Sequence, residues 1–205
     1  MQFQGFSKND FETFNIEGLD LRMEAIEERI RPKFREIGQV LTDELSMNLG
    51  QEMFLHIAKH ARRTVNAPKD TWLAIAGNKR GYKQHPHFQI GLFDDHVFIW
   101  LAFIYELPNK EEIAKTFLKN LKTIKTIVPN DFSVSQDHMK KDAISIEEID
   151  LKAALERFRD VKKAELLIGR KIAANDPILT DGNVFMNVVR NTFETLIPLY
   201  KLSYK

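Results

Sequence analysis

The first third of the chain has apolar residues at the spacing of an α-helix. Intervals of three and four separate Met23, Ile26, Ile30, Phe34, Ile37, Leu41 and Leu45, as on one buried helix face. Pro32 interrupts this series, so we expect a second helix to begin there or a single helix to bend. A further helix is predicted over about 50–63. Its apolar face would hold Met53, Phe54, Ile57, Ala58 and Ala61.

The middle of the chain changes to the shorter patterns typical of strands. Five segments are predicted as strands: 72–76, 87–93, 96–107, 132–136 and 164–172. The segment 96–107 is apolar on both faces, which favours a central strand covered on both sides. Asp94 and Asp95 are predicted to form the turn before it. Three consecutive strands with short links favour an antiparallel sheet.

Three later segments are predicted as helices: 109–127, about 145–158, and one that begins near 183. Asn109 with Glu112, and Ser145 with Glu148, have the spacing of a capping box. Pro198 is expected to shorten or bend the last helix. With no linker or repeat in view, the sequence predicts a single α+β domain over 1–205, with a mainly antiparallel sheet of about five strands covered by helices.

Composition narrows the possible classes of protein. The chain has no cysteine, which excludes disulfides, thiol nucleophiles and thiolate metal sites. The longest apolar run, 97–105, is too short for a transmembrane helix, which needs about 20 residues. The first residues lack the pattern of a secretory signal. We therefore expect a cytoplasmic protein that does not span a membrane.

Positive charge is concentrated between His56 and Gln89. The whole chain has a formal charge of only +1, yet this strip contains one acid, Asp70, and four of the six histidines. Its basic residues are Lys59, Arg62, Arg63, Lys69, Lys79, Arg80 and Lys83. A local positive excess in a nearly neutral protein indicates a site for an anion.

If 50–63 is a helix, its periodicity places four polar residues beside the apolar face: His56, Lys59, His60 and Arg63. That flank could form the rim of a ligand cleft. It could equally be a solvated rim where long side chains cover apolar surface.

Metal and nucleophile motifs are incomplete. His56 and His60 have a chelating spacing on a helix, but Ile57 stands where a zincin motif has Glu, and the surrounding Lys and Arg disfavour a cation. We predict no metal and no cofactor. The loop 77–87 has two glycines but not the spacing of a Walker A loop. Asp137 beside His138 could orient an imidazole for acid–base work.

The predicted hairpin has one further consequence. A two-residue turn at Asp94 and Asp95 would put Gln89 opposite Trp100 and His87 opposite Ala102. Polar side chains on such an apolar sheet face would be unusual unless they lie at a pocket.

Three segments resemble the YktB-like family of uncharacterised proteins from Bacillus and related Firmicutes. They are EMFLHIAKHARRTVNAPKDTW, NKRGYKQHPHFQIGLF and FETLIPLY. The resemblance extends over essentially the whole chain. It implies a compact α+β domain from a bacterial cytoplasm, but no activity and no catalytic residues.

The leading hypothesis is a binding protein for a phosphate-bearing anion: a nucleotide, a phosphorylated small molecule or a nucleic acid. The candidate anion-binding residues are His56, His60, Arg63, Arg80, Lys83, His85 and His87. One alternative is an enzyme that uses a histidine of the same cleft as general acid or base. The other is a structural protein whose basic strip contacts a protein partner. The oligomeric state stays open.

Overall fold

The computed structural model describes residues 3–205, which form one antiparallel sheet with helices packed on it. The strands are β1 Phe54–Ile57, β2 Thr71–Ala76, β3 His87–Leu92, β4 His96–Phe103, β5 Ser133–Ser135, β6 Ile144–Ser145 and β7 Leu166–Ala173. Their spatial order is β1-β2-β3-β4-β7-β5-β6. The α-helices are α1 Lys8–Glu12, α2 Leu19–Ala25, α3 Arg31–Leu49, α4 Lys110–Lys119, α5 Leu121–Ile127, α6 Leu151–Asp160 and α7 Gly182–Leu202.

The predicted α+β class and antiparallel sheet are confirmed, with seven strands in place of about five. Strand β4 is central, between β3 and β7, and all its residues are buried, as its two apolar faces predicted. It ends at Phe103, earlier than predicted. The two strands that the sequence pattern missed, β1 and β6, are short and lie at the edges of the sheet.

The helix predicted over 50–63 is wrong. Helix α3 ends at Leu49, and Gly50 follows with a left-handed φ of 67°, a common helix C-cap. The chain then pairs with β2 as strand β1. Gly38 of α3 lies so close to Leu55 that a Cβ there would be 2.5 Å from Leu55 Cδ1. Pairing with β2 and the close packing of Leu55 on Gly38 favour a strand here. The apolar pattern at intervals of three and four covers too few residues to define a helix.

The N-terminal helical region is divided by a π-helical turn, Ile26–Ile30. Pro32 lies in the first turn of α3, so the expected second helix does begin there. Near the other end of the chain, Pro198 lies within α7, which continues to Leu202 without being shortened.

The predicted capping boxes of two other helices are not formed. Asn109 is the N-cap residue of α4, as predicted, but its side chain makes no capping hydrogen bond, and Glu112 pairs with Lys115. The predicted helix over 109–127 is also divided in two at Asn120. Helix α6 begins after Asp150, whose carboxylate accepts from the Ala153 N–H, and not at the Ser145 position.

The two faces of the sheet have different covers. On the helix-covered face, strand residues join the buried residues of the helices in the main core; they include Leu73, Ile75, Phe88, Ile90, Val97, Ile99, Leu101 and Ile168. The other face carries Trp72, Ala74, His87, Gln89, Phe98, Trp100, Ala102 and Leu167. Loop residues Ala58, Tyr82 and Ala143 pack on this second, loop-covered face. Across residues 3–205, none of the helices has the length and apolar character to span a membrane.

Candidate functional site

The register of the β3–β4 hairpin places polar side chains on the loop-covered face. Gln89 is opposite Trp100 and His87 is opposite Ala102, as the two-residue turn predicted. The His87 Nδ1 atom lies 2.7 Å from the His85 carbonyl oxygen, and the Gln89 Nε2 atom lies 2.8 Å from His87 Nε2. A neutral imidazole that donates from Nδ1 and accepts at Nε2 satisfies both contacts.

Burial makes His87 a supporting residue. Its side chain is fully buried, and burial lowers its pKa to about 3. At neutral pH it therefore has no positive charge to offer an anion. Its ring lies edge-on to Tyr82, with the ring centroids 5.1 Å apart.

An aromatic pair forms the base of the site. The Trp72 Nε1–H group donates to the Tyr82 hydroxyl oxygen at 2.8 Å. His56 packs on Tyr82 from another side, with centroids 4.9 Å apart, while its Nε2 atom is 2.8 Å from the Asn78 carbonyl oxygen. Burial raises the Tyr82 pKa to about 12. His56 and His87 thus fix the position of Tyr82, and Tyr82 fixes Trp72.

The loop over residues 58–70 forms the wall of the site, and two arginines hold its ends. Arg31 follows the π-helical turn and donates to the carbonyl oxygens of Ala58 and Lys59. Arg22 donates to the Pro68 carbonyl oxygen at 2.9 Å. Between them, His60 adopts a left-handed φ of 52°, which is uncommon for a residue other than glycine. The loop is therefore shaped by long-range contacts that periodicity does not reveal.

An open depression of about 510 Å³ lies between this loop, Trp72 and the loop after β2. Its lining includes one acid, Glu106, against four cationic side chains: Lys59, Arg62, Arg63 and Lys83. The Lys83 Nζ atom lies 5.5 Å from the Trp72 ring centroid, within the range of a cation–π contact. We call this depression the basic pocket.

The structure divides the seven candidate residues into three groups. His60, Arg63 and Lys83 line the basic pocket. His56 and His87 do not line it but pack on Tyr82. Arg80 is exposed in the loop after β2, and His85 contributes its carbonyl to His87. The expectation that His56 shares the depression is wrong, because His56 lies in a strand and its predicted helical flank does not exist.

His60 has a different role from the cations around it. Burial, together with the charges of Arg63, Arg31 and Lys83, lowers its pKa to about 4. Its Nε2 atom lies 3.2 Å from the Thr71 hydroxyl, and its ring is edge-on to Trp72. It is neutral at physiological pH, so the pocket's positive charge comes from lysine and arginine.

A second histidine contacts Trp72 from the loop after β5. The ring centroids of His138 and Trp72 are 6.2 Å apart. The His138 Nδ1 atom lies 2.9 and 2.8 Å from the two carboxylate oxygens of Glu165, which also accepts from the His138 backbone N–H. The pair is nearly buried. Glu165, and not the neighbouring Asp137, orients this imidazole.

Within the part of the chain that the structure describes, Asp137, His138 and Glu165 form a group that could hold a metal ion, since their ligand atoms lie within 4.8 Å of one another. The contact of His138 Nδ1 with both Glu165 oxygens is already that of an N–H donor and a carboxylate. A cation would have to replace that proton. The absence of a metal therefore stays our prediction.

Comparisons with known proteins give the same family along nearly the whole length. Residues 6–200 match the family model described as a domain of unknown function, DUF1054. The chain belongs to the DUF1054 family. A UPF0637 protein of Shouchella clausii is 62% identical over 203 residues, covering 99% of this chain and 96% of the relative. UPF0637 proteins of Oceanobacillus iheyensis and Listeria monocytogenes are 60% and 52% identical, covering 97% and 99% of this chain and 96% and 99% of those relatives.

The resemblance to a family of uncharacterised proteins from Firmicutes is thus confirmed. The function of these relatives is unknown, and their names give no ligand or reaction. The chemistry of this DUF1054 protein must therefore be argued from its own residues.

Sequence reasoning on this DUF1054 chain did not identify Arg31, Asp70 or Glu165 as residues of the site. Arg31 lies on a helix for which the sequence pattern predicts only the apolar face. Asp70 was noted only as the single acid of the basic strip, yet it is 2% exposed. Among residues 3–205 its Oδ2 atom has no hydrogen-bond partner. The one available signal is its position directly before a fully buried strand.

Proposed function

We propose that this protein binds a phosphate-bearing small molecule in the basic pocket. The observation that carries the proposal is the convergence of Lys59, Arg62, Arg63 and Lys83 on one concave surface over Trp72. Lysine and arginine make charge-assisted hydrogen bonds with phosphate oxygens. A cytoplasmic location is part of the proposal, since nucleotides and phosphorylated metabolites are abundant there.

The shape of the pocket favours a small molecule over a nucleic acid. Its volume of about 510 Å³ lies within the range of small-molecule sites. Two of the strip's cations, Lys79 and Arg80, lie outside it in the loop after β2. A duplex would instead need an extended positive surface along its phosphates.

The test measures binding of AMP, ADP and inorganic pyrophosphate by calorimetry, with the wild type and two arginine variants. Arg63→Ala removes a cation from the pocket, and Arg80→Ala removes the same charge from the neighbouring loop. We expect Arg63→Ala to weaken binding by about 1.5–3 kcal/mol, the range for a hydrogen bond to a charged group. Arg80→Ala is expected to change binding much less, because this exposed side chain lies outside the pocket.

Salt and nucleic acid complete this test. Binding of the phosphate compounds is expected to weaken as salt rises, because exposed charges are screened over about 8–10 Å. An equal loss of affinity in both arginine variants would contradict binding in the basic pocket. Tight binding of duplex DNA or RNA alone, with a log-affinity slope near −0.9 per phosphate, would replace the small molecule by a nucleic acid.

A second candidate function is catalysis on the same ligand. The observation that favours it is the Glu165–His138 pair, which orients an imidazole next to Trp72. With Nδ1 held by Glu165, Nε2 is the ring nitrogen left for proton transfer. His138→Gln would then abolish turnover of a bound phosphate ester while leaving its affinity within about two-fold. Unchanged turnover in that variant would exclude His138 as the acid or base, and a wild type without turnover would limit the pocket to binding.

A further inference from the structure

Asp70 is a buried carboxyl group with one oxygen that has no hydrogen-bond partner among the residues that the structure describes. It lies at the end of the 58–70 loop, immediately before β2, and is 2% exposed. Its Oδ2 atom is buried without a hydrogen-bond partner in the part of the chain that the structure describes. Leaving a buried carboxylate oxygen unpaired is costly, and such groups in native proteins call for an explanation. A ligand that donates a hydrogen bond to Asp70 would supply one.

Asp70 lines a second depression that adjoins the basic pocket. This depression has a volume of about 610 Å³ and is lined by Arg22, Arg63, Asn66, Ala67, Lys69, Asp70 and Met139. Arg63 and Met139 line both depressions. A molecule whose phosphate contacts Arg63 in the basic pocket can therefore extend towards Asp70.

The charges around Asp70 indicate what kind of donor it would accept. Burial raises the Asp70 pKa to about 6, against the opposing effects of His138, Arg63 and Lys83. At neutral pH the group is mostly a carboxylate and accepts hydrogen bonds. Arg22, Arg63 and Lys69 already line the same depression. They would repel an ammonium group, whereas a hydroxyl group donates a hydrogen bond without adding charge.

We propose that Asp70 binds a hydroxyl group of the ligand, which makes the ligand a phosphorylated polyol or sugar. This inference rests on the proposed function, because it places the phosphate in the basic pocket. A free sugar phosphate and the ribose phosphate of a nucleotide share this chemistry. In both, the phosphate contacts the Arg63 side of the site and a hydroxyl contacts Asp70.

The experiment compares matched phosphate esters with and without hydroxyl groups. Calorimetry measures the affinity for glycerol phosphate against propyl phosphate, and for ribose phosphate against pentyl phosphate. Each pair has the same number of carbons and the same phosphate. We expect the wild type to bind the hydroxylated member at least about ten-fold more tightly, as expected for a hydrogen bond to a charged group. AMP then distinguishes a nucleotide from a free sugar: tighter binding than ribose phosphate indicates the nucleotide.

Two amide variants locate the hydroxyl contact. Asp70→Asn removes the charge but keeps the shape, and we expect it to reduce the preference to less than about three-fold. Asp43→Asn makes the same chemical change at an exposed position of α3 that lines neither depression, and is expected to keep the preference. Urea unfolding confirms that each variant is folded before its affinity is interpreted.

The outcomes separate the two proposals. If the phosphate esters bind and Arg63→Ala weakens them, but hydroxyl groups give no preference in the wild type, the Asp70 proposal fails alone. It also fails if Asp70→Asn keeps the full preference. If none of the phosphate compounds binds, the proposed function fails and the Asp70 proposal with it.

Discussion

The helix-covered and loop-covered faces of the same sheet differ in what they bury. The helix-covered face buries aliphatic and aromatic side chains, such as Ile99 and Phe88, against helices. The loop-covered face buries His87 and Gln89 beside Trp72 and Trp100. His87 and Gln89 have specific hydrogen-bond partners, whereas the Asp70 Oδ2 atom has none within residues 3–205.

Under the proposed function, this difference separates stability from ligand recognition within one sheet. Apolar burial is non-directional and supplies most of the folding free energy. Polar groups in a buried position cost free energy unless each has its partner. A sheet face that carries such groups, and is covered by a loop held by hydrogen bonds from arginines, is the expected place for a binding site.

The strongest contrast should appear on removing a phenylalanine from each face. Phe88 is fully buried and contacts Phe193 and Tyr200. We expect Phe88→Ala to lower the free energy of unfolding by about 3–5 kcal/mol. Phe98→Ala, on the loop-covered face, is expected to cost less, because loops can collapse into the space. Urea denaturation of both variants measures the difference, and equal costs would contradict it.

The second prediction concerns acid stability. His87 has a folded-state pKa of about 3, below the usual value of about 6.5. As the pH falls below about 6.5, the unfolded chain takes up this proton first, so stability is lost progressively towards pH 3. Between pH 7 and pH 4.5, the wild type is expected to lose about 2–3 kcal/mol more than His87→Gln. Parallel pH curves for the two proteins would refute the buried neutral imidazole.

The third prediction concerns Asp70, where the change of stability with pH has the opposite sign to that at His87. The Asp70 pKa is raised to about 6, so its protonated form is favoured by folding. The stability linked to this proton is present below about pH 4 and lost as the pH rises through 6. Asp70→Asn is therefore expected to stabilise the protein by about 1–3 kcal/mol at pH 8, with the gain vanishing near pH 4. Urea unfolding at both pH values tests it, and a variant less stable at pH 8 would show that the carboxylate has a partner.

The smallest effect is expected at Arg80. This side chain is exposed in the loop after β2, so Arg80→Ala should change the free energy of unfolding by less than about 0.5 kcal/mol. Thermal melting is sufficient to measure it. A loss greater than 1 kcal/mol would mean that this loop contributes to the fold of the loop-covered face.

Strand periodicity predicted the centre of the molecule well. The segment around β4 is apolar on both faces and indeed lies at the middle of the sheet. The register of the β3–β4 hairpin followed from the two-residue turn at Asp94 and Asp95. Both depend on local patterns of alternation, which a single sequence contains.

The site itself was only partly predictable. The basic strip identified Arg63 and Lys83, but the imagined helix placed His56 incorrectly, since β1 pairs with a strand that follows it by more than a dozen residues. The Glu165–His138 contact joins residues 27 positions apart. Long-range pairings of this kind leave no periodic signal, so neither the orienting carboxylate nor the environment of Asp70 could be read from neighbouring residues.

The π-helical turn Ile26–Ile30 has a consequence for helical phase. In an uninterrupted α-helix, residues nine apart differ by about 900°, which is half a turn beyond two full turns. Arg22 and Arg31 would then point to opposite sides. Because a residue in a π turn advances by a smaller angle, the turn lets both arginines reach the 58–70 loop. If the same number of residues formed a regular α-helix, the two arginines would point to opposite sides, so the wall of the pocket depends on a π-helical turn some thirty positions upstream of it.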